Sequence, residues 1–201
     1  MRIEGFSLTE NEIIEKLKAT QKERRFNHTL GVMGEAVRLA PLFGVDEEKA
    51  RITALLHDCA KNLDEASGED FYIICKRYGV NLDDCAKSEK ALVHAYLGAA
   101  VAYKDFGIDD NEILEAIYYH TTGRANMTPL EKLIYIADMT EPGRTIEQAA
   151  EIRRLVEFNI DEALIYAIGC SIKHVIRKGT LIHPDSVHAL NYLISHRRDK
   201  S

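Results

Sequence analysis

Apolar residues recur at three- and four-residue spacing along almost the whole chain, each run opened or closed by recognisable helix signals. Thr9-Glu10-Asn11-Glu12 reads as a capping box ahead of Ile13, Ile14 and Leu17. The run from Thr29 to Ala40 is helical in pattern, and Asp46, with Glu47 and Glu48 in the first turn, opens a helix that ends in Ala54-Leu55-Leu56. Glu69 to Tyr78, Ser88 to Tyr103 and Asp109 to Tyr119 repeat the pattern. Thr128-Pro129-Leu130-Glu131 joins an N-cap, a proline at the first helical position and a capping glutamate, and Leu130, Leu133, Ile134 and Ala137 form the stripe behind it. Thr145-Ile146-Glu147-Gln148 is a further box, and helices are predicted over Ile160 to Arg177 and Asp185 to Arg197. No segment alternates long enough to make a strand, and no repeat or linker interrupts the chain. The expectation is an all-α fold in one domain over residues 1–201, with its core motifs at about 24–192.

Composition narrows the function. The chain has 201 residues, 46% of them hydrophobic, enough for one substantial core. A net charge of −6 and a pI near 5.8 argue against nucleic acid as partner, because that binding neutralises phosphates with a basic surface. Cys59, Cys75, Cys85 and Cys170 show no CxxC spacing and no signal peptide precedes them, so free thiols in the cytoplasm are expected. No apolar run approaches the ~20 residues that span a bilayer, so no membrane role is expected.

The chemistry centres on His57-Asp58, which follow the apolar run directly. Adjacent helical residues point about 100° apart, so two metal-binding neighbours close on one ion only where a helix ends beside a cleft. The competing reading is a solvated helix end. His28 and Asp138 stand in similar settings, each beside an apolar helical stretch. A carboxylate beside the Leu130–Ala137 stripe needs a cation or several donors, whether a metal or a partner such as Arg144. P-loop, dinucleotide, HExxH, ExxH and GxSxG signatures are absent, which removes several common enzyme classes.

The order His28, His57-Asp58, Asp138 resembles the HD superfamily of helical metal-dependent phosphohydrolases. That resemblance implies that these four residues hold one catalytic metal, and that His94 and His120 bind a second metal or substrate phosphates. His120-Thr121-Thr122-Gly123, Met127 to Lys132, Ala137 to Arg144 and Lys61 are similar, more narrowly, to the YqeK-type family of symmetrical bis(5′-nucleosyl)-tetraphosphatases. The likeness runs from about Arg24 to Asn191-Tyr192. One departure is Ala95-Tyr96, where that family usually has a small residue followed by proline. The resemblance implies hydrolysis of diadenosine tetraphosphate to two ADP (or GDP-like products from related substrates), with iron as the metal. Ligand chemistry equally admits manganese, cobalt or zinc.

Within that reading His57, Asp58 and Lys61 are the catalytic candidates, Asp58 orienting the attacking water as well as binding metal. Lys61, His94, His120 and Arg144 suit non-bridging phosphate oxygens. The resemblance places Arg25, Thr121 and Leu181-Ile182-His183-Pro184-Asp185-Ser186 around the nucleotide, next to His28, Asp58 and Asp138. Arg25 is alternatively a solvated charge, His183 and His188 alternatively surface residues, and Cys59 is read as packing. Two other functions compete: an HD phosphohydrolase for a mononucleotide, alarmone or cyclic nucleotide, and a non-catalytic nucleotide-binding regulator. A homodimer is the base-rate expectation for such a chain.

Overall fold

The computed structural model describes residues 8–145 and 147–198, and the described residues form twelve α-helices and no strand. The first five are α1 (Glu10–Thr20), α2 (Glu23–Phe43), α3 (Glu47–Leu56), α4 (Leu63–Ser67) and α5 (Phe71–Tyr78). Next come α6 (Asp84–Ser88), α7 (Lys90–Phe106), α8 (Asn111–Tyr119) and α9 (Pro129–Thr140). The last three are α10 (Glu147–Val156), α11 (Ile160–Lys178) and α12 (Pro184–Arg198).

Local signals set most helix starts. Thr9 and Thr128 form reciprocal capping boxes with Glu12 and Glu131, and Asp46 accepts from the Lys49 amide at 2.9 Å. The box at Thr145 lies partly outside the described residues. Two expectations shift. The helix predicted from Glu69 begins at Phe71, because Asp70 is extended and caps the Tyr72 amide at 2.8 Å. The helix predicted from Ser88 begins at Lys90: Ser88 is the last residue of α6, and Glu89 is extended (φ −121°, ψ 94°) and caps the Ala91 amide at the start of α7. The short α4 and α6 have no periodicity of their own to announce them.

Helix α2 is central, packing on α3 and α9, while α8 bridges α7, α3 and α9. An α10–α11 hairpin packs on α9, and α12 packs on α11. One continuous core runs from Ile13 and Leu17 in α1 through Leu39, Leu55, Leu97, Ile117 and Leu133 to Leu193. Each fully buried Leu or Ile contributes roughly 1.5–3 kcal/mol through removal of apolar surface from water. Gly98 lets α7 lie close beneath the end of α3: a Cβ there would meet Ile117 at 3.2 Å and the His57 carbonyl oxygen at 3.6 Å. The ends of α3 and α8 and the inner faces of α2, α7 and α9 thereby converge on one polar cluster inside an apolar surround.

Candidate metal centre

His57 caps α3 and is fully buried. Its Nδ1 lies 2.6 Å from the Ala54 carbonyl oxygen, which can only accept, so Nδ1 carries the hydrogen and Nε2 presents a lone pair. His120 caps α8 in the same manner, with Nδ1 donating to the Ile117 oxygen at 2.7 Å. His28, in the second turn of α2, has Nδ1 3.1 Å from Glu141 Oε1, which again leaves Nε2 facing inward. Three elements thus fix three tautomers, all with Nε2 toward the same space. With His94 of α7 the rings form a row, His28–His57–His120–His94, with centroid spacings of 5.6, 5.2 and 5.0 Å.

Asp58 lies along this row, 3% exposed. Its Oδ2 accepts from Arg25 Nη1 at 2.5 Å, and Oδ1 lies 3.1 Å from His94 Nε2, 3.6 Å from His120 Nε2 and 3.8 Å from Lys61 Nζ. Burial by itself would raise this carboxyl; His57, His94 and His120 reverse the effect and hold it well below the ordinary range. Burial pushes both His57 and His94 down to about 4, so both are neutral near neutral pH. Lys61 Nζ lies 3.0–3.1 Å from both His94 nitrogens, and burial lowers its pKa. Asp138, partly buried in the last turn of α9, has Oδ1 3.1 Å from His28 Nε2 and 2.8 Å from Arg144 Nη2. The sequence offered metal or Arg144 as the partner of Asp138; the fold puts it against both His28 and Arg144.

Three buried acceptors in this cluster, His28 Nε2, His57 Nε2 and Asp58 Oδ1, make no hydrogen bond. Leaving such atoms unpaired costs about 1–3 kcal/mol each. His28 Nε2 and His57 Nε2 lie 3.8 and 3.6 Å from Asp58 Oδ2, so a cation among them satisfies both rings, while Oδ1 turns to His94 and His120. His28 registers the same demand: burial works against its protonated form, yet Asp138, Glu141 and Asp58 still raise its pKa. His28, His57 and Asp58 form one set with ligand atoms mutually within 4.8 Å, and Asp58, His94 and His120 form another, so Asp58 is common to both. Imidazole and carboxylate together suit a divalent transition metal. Asp138 borders the first set through His28.

The other predicted residues fall around the cluster. Arg25 is engaged with Asp58 and is no solvated charge. Thr121 follows His120, and its buried hydroxyl has no hydrogen-bond partner. It lines a cavity of about 160 Å³ with Thr122, Leu181, Ile182, His183 and Ser186. Pro184 begins α12, and Ser186 Oγ ties that helix start to the Thr122 carbonyl oxygen at 2.9 Å. His183 is not a surface residue: Nδ1 accepts from the Asp185 amide, and Nε2 lies 2.9 Å from both Asp83 Oδ2 and the Tyr96 hydroxyl. Tyr96, the departure from the family pattern, therefore anchors the loop before α12 to α7. His188 is 65% exposed and takes no part. Cys59 packs against the Gly98 carbonyl, and burial raises its thiol pKa, as suits an inert residue.

Two residues that sequence reasoning passed over support the cluster. Glu141, 5% exposed, holds His28 through Oε1 and accepts from the Gly143 amide through Oε2. Its space depends on two glycines: a Cβ on Gly31 would lie 2.7 Å from Oε2, and one on Gly143 2.9 Å from both oxygens. Arg153 of α10 donates to the carbonyls of Thr140, Glu141 and Arg144, fixing the turn that carries Glu141 and Arg144. The usable signal was the pair of glycines, one beside His28 and one beside Glu141. A carboxylate behind a histidine sets its tautomer and basicity, so Glu141→Gln should weaken metal binding about 10–100-fold. Competition with a chromophoric chelator measures this; an unchanged affinity would make Glu141 a packing residue only.

The HD-domain family model matches residues 25–143. The chain is 36% identical to the symmetrical bis(5′-nucleosyl)-tetraphosphatase of Bacillus subtilis over 94% of its own length and 99% of that protein's. It is 33% identical to the enzyme of the same name from Halalkalibacterium halodurans, with 93% and 98% covered. A crystal structure from Clostridium acetobutylicum, described as a predicted HD superfamily hydrolase involved in NAD metabolism, superposes with a TM-score of 0.87 at 42% identity, covering 94% of this chain and 98% of that one. No described helix is long and apolar enough to cross a membrane. The chain belongs to the HD-domain family and groups within it with the symmetrical bis(5′-nucleosyl)-tetraphosphatases.

Proposed function

We propose that this protein is a metal-dependent hydrolase that cleaves diadenosine tetraphosphate, and related dinucleoside polyphosphates, at the central anhydride to release two ADP. The observation that carries this reading is the convergence of His28 Nε2 and His57 Nε2, buried and unpaired, on the Asp58 carboxylate, beside Lys61, Arg25 and Arg144. The near full-length relatives of that name supply the substrate class.

In this reading His28, His57, Asp58 and Asp138 hold a divalent metal, for which we favour iron; manganese, cobalt and zinc share the donor set. Such an ion supplies charge neutralisation for phosphoryl oxygens and acidifies water near neutral pH. Asp58 orients the attacking water, its Oδ2 fixed by Arg25 beside His28 and His57 and its Oδ1 turned to His94 and His120. Lys61 and Arg144 donate to non-bridging oxygens, the positioning on which phosphoryl transfer depends. His120 presents a lone pair and suits a cation better than a phosphate, because the Ile117 carbonyl takes its only neutral-form hydrogen. Thr121 and the loop from Leu181 to Ser186 take one nucleoside, the Thr121 hydroxyl being free to donate. Four free cysteines fit a reducing cytoplasm.

Hydrolysis in oxygen-18 water, with products separated by anion exchange, tests the bond that breaks. One label per event is expected on the β-phosphate of one ADP, with no other nucleotide formed. AMP together with ATP would overturn symmetric cleavage. Preferential release of inorganic phosphate from a mononucleotide would move the protein to another HD phosphohydrolase activity.

A further inference from the structure

A cavity of about 620 Å³ meets the cluster at His28, a volume within the ~300–1,000 Å³ typical of small-molecule sites. Lys22, Arg24, Arg25 and Arg144 line it against one carboxylate, Glu141, which is already turned to His28 and Gly143. In a chain of net charge −6 this is a local concentration of positive charge. Not all of it is committed. Arg25 faces Asp58, Arg144 faces Asp138, and Lys22 lies 2.5 Å from Glu65 at the rim. Among the described residues the exposed Arg24 guanidinium has no ion-pair partner, and the side-chain amides of Asn27 and Asn62 on the same wall have no hydrogen-bond partner.

A dinucleoside tetraphosphate cut at its centre has two identical halves that diverge from the scissile bond. The 160 Å³ cavity beside Thr121 is below the ~300 Å³ of a whole-ligand site, so it cannot take both halves. The other half must leave the cluster elsewhere, and the basic cleft meets the cluster through Arg25, His28 and Arg144. We propose that this cleft is the half-site for the second, departing nucleoside diphosphate, with Arg24 receiving its α-phosphate and Asn27 and Asn62 its ribose. The placement rests on the dinucleoside polyphosphate reading above. Apart from His28 no aromatic ring lines the cleft, so this half-site holds phosphate and sugar and discriminates little between bases.

Calorimetric titration of the holoenzyme with a dinucleoside tetraphosphate carrying a methylene at the central bridge, and separately with ADP, tests this at about 0.15 M salt, where charges beyond ~8 Å are screened. Arg24 and Asn27 are exposed, so Arg24→Glu and Asn27→Asp should fold as the wild type does. Both should weaken the analogue about tenfold, since each puts a carboxylate where the cleft receives an anionic half, while the first ADP to bind keeps its affinity. Unchanged analogue affinity in both variants, or equal weakening of analogue and ADP, overturns the half-site while wild-type hydrolysis to ADP leaves the parent reading standing. Wild-type conversion of diadenosine tetraphosphate to products other than ADP overturns the parent reading, and this placement with it.

Discussion

Asp58→Ala should yield a protein without stoichiometric metal and without detectable hydrolysis. Asp58 is the residue shared by both potential ligand sets, so its loss dismantles both together. His57→Ala should do the same to the first set, since its Nε2 is one of the three buried acceptors with no protein partner. Asp138→Asn should follow closely, keeping the shape but not the charge beside His28. Metal content by elemental analysis is the primary measurement. A second reading comes from linkage: metal at about 1,000 times its Kd stabilises the folded wild type by ~4 kcal/mol. A chelator should therefore lower the melting temperature of the wild type and leave that of Asp58→Ala unmoved. Removing Asp58 also strips Arg25 of its partner, so an intact circular dichroism spectrum must accompany the result. Full metal occupancy and turnover in any of these variants would remove the site assignment.

For Lys61→Ala the expected outcome is different in kind. Lys61 Nζ stands 3.8 Å from Asp58 Oδ1 and close to both nitrogens of His94, at the edge of the potential ligand sets and outside them. Its ammonium is the nearest lysine donor to the place where charge on a phosphoryl group would develop. Removing one preorganised donor of this type costs roughly 10²–10³ in turnover. Metal content should be unchanged, and kcat should fall more than KM rises, because the contact strengthens as negative charge builds on the oxygens. Loss of metal would show instead that Lys61 holds Asp58 and His94 in place, and unchanged turnover would dismiss it from the reaction.

These two outcomes depend on different layers of information in the chain. The dyad was legible because His57-Asp58 break the apolar periodicity of α3 where that helix stops, and the structure places them at its C-terminal end. Asp138 was legible for a similar reason, a carboxylate set beside an apolar stripe. The roles of Arg25 and His183 were not. Arg24 and Arg25 are indistinguishable in sequence, yet one meets Asp58 and the other lines an open cleft. His183 reads as a loop residue until Tyr96 and Asp83 are brought to it from 87 and 100 positions away.

The sequence by itself determined the helices and the kind of chemistry. Capping boxes, apolar stripes and glycine stops act within a few residues, so the helices at Pro129–Thr140 and Ile160–Lys178 are marked by signals local to them. The histidines and aspartates, likewise, fix the preference for a divalent metal through donor atoms alone. Only the tertiary structure decided which donors meet. Contact between His28 and Glu141 spans 113 positions, and that between Asp58 and His94 spans the whole of α4 to α6. Such distances are set by helix packing, in which a slight rotation of α2 or α9 would turn His28 or Asp138 away. The two glycines that admit Glu141, the carbonyls that fix the tautomers of His57 and His120, and the division of cations between cluster and cleft all follow from that packing.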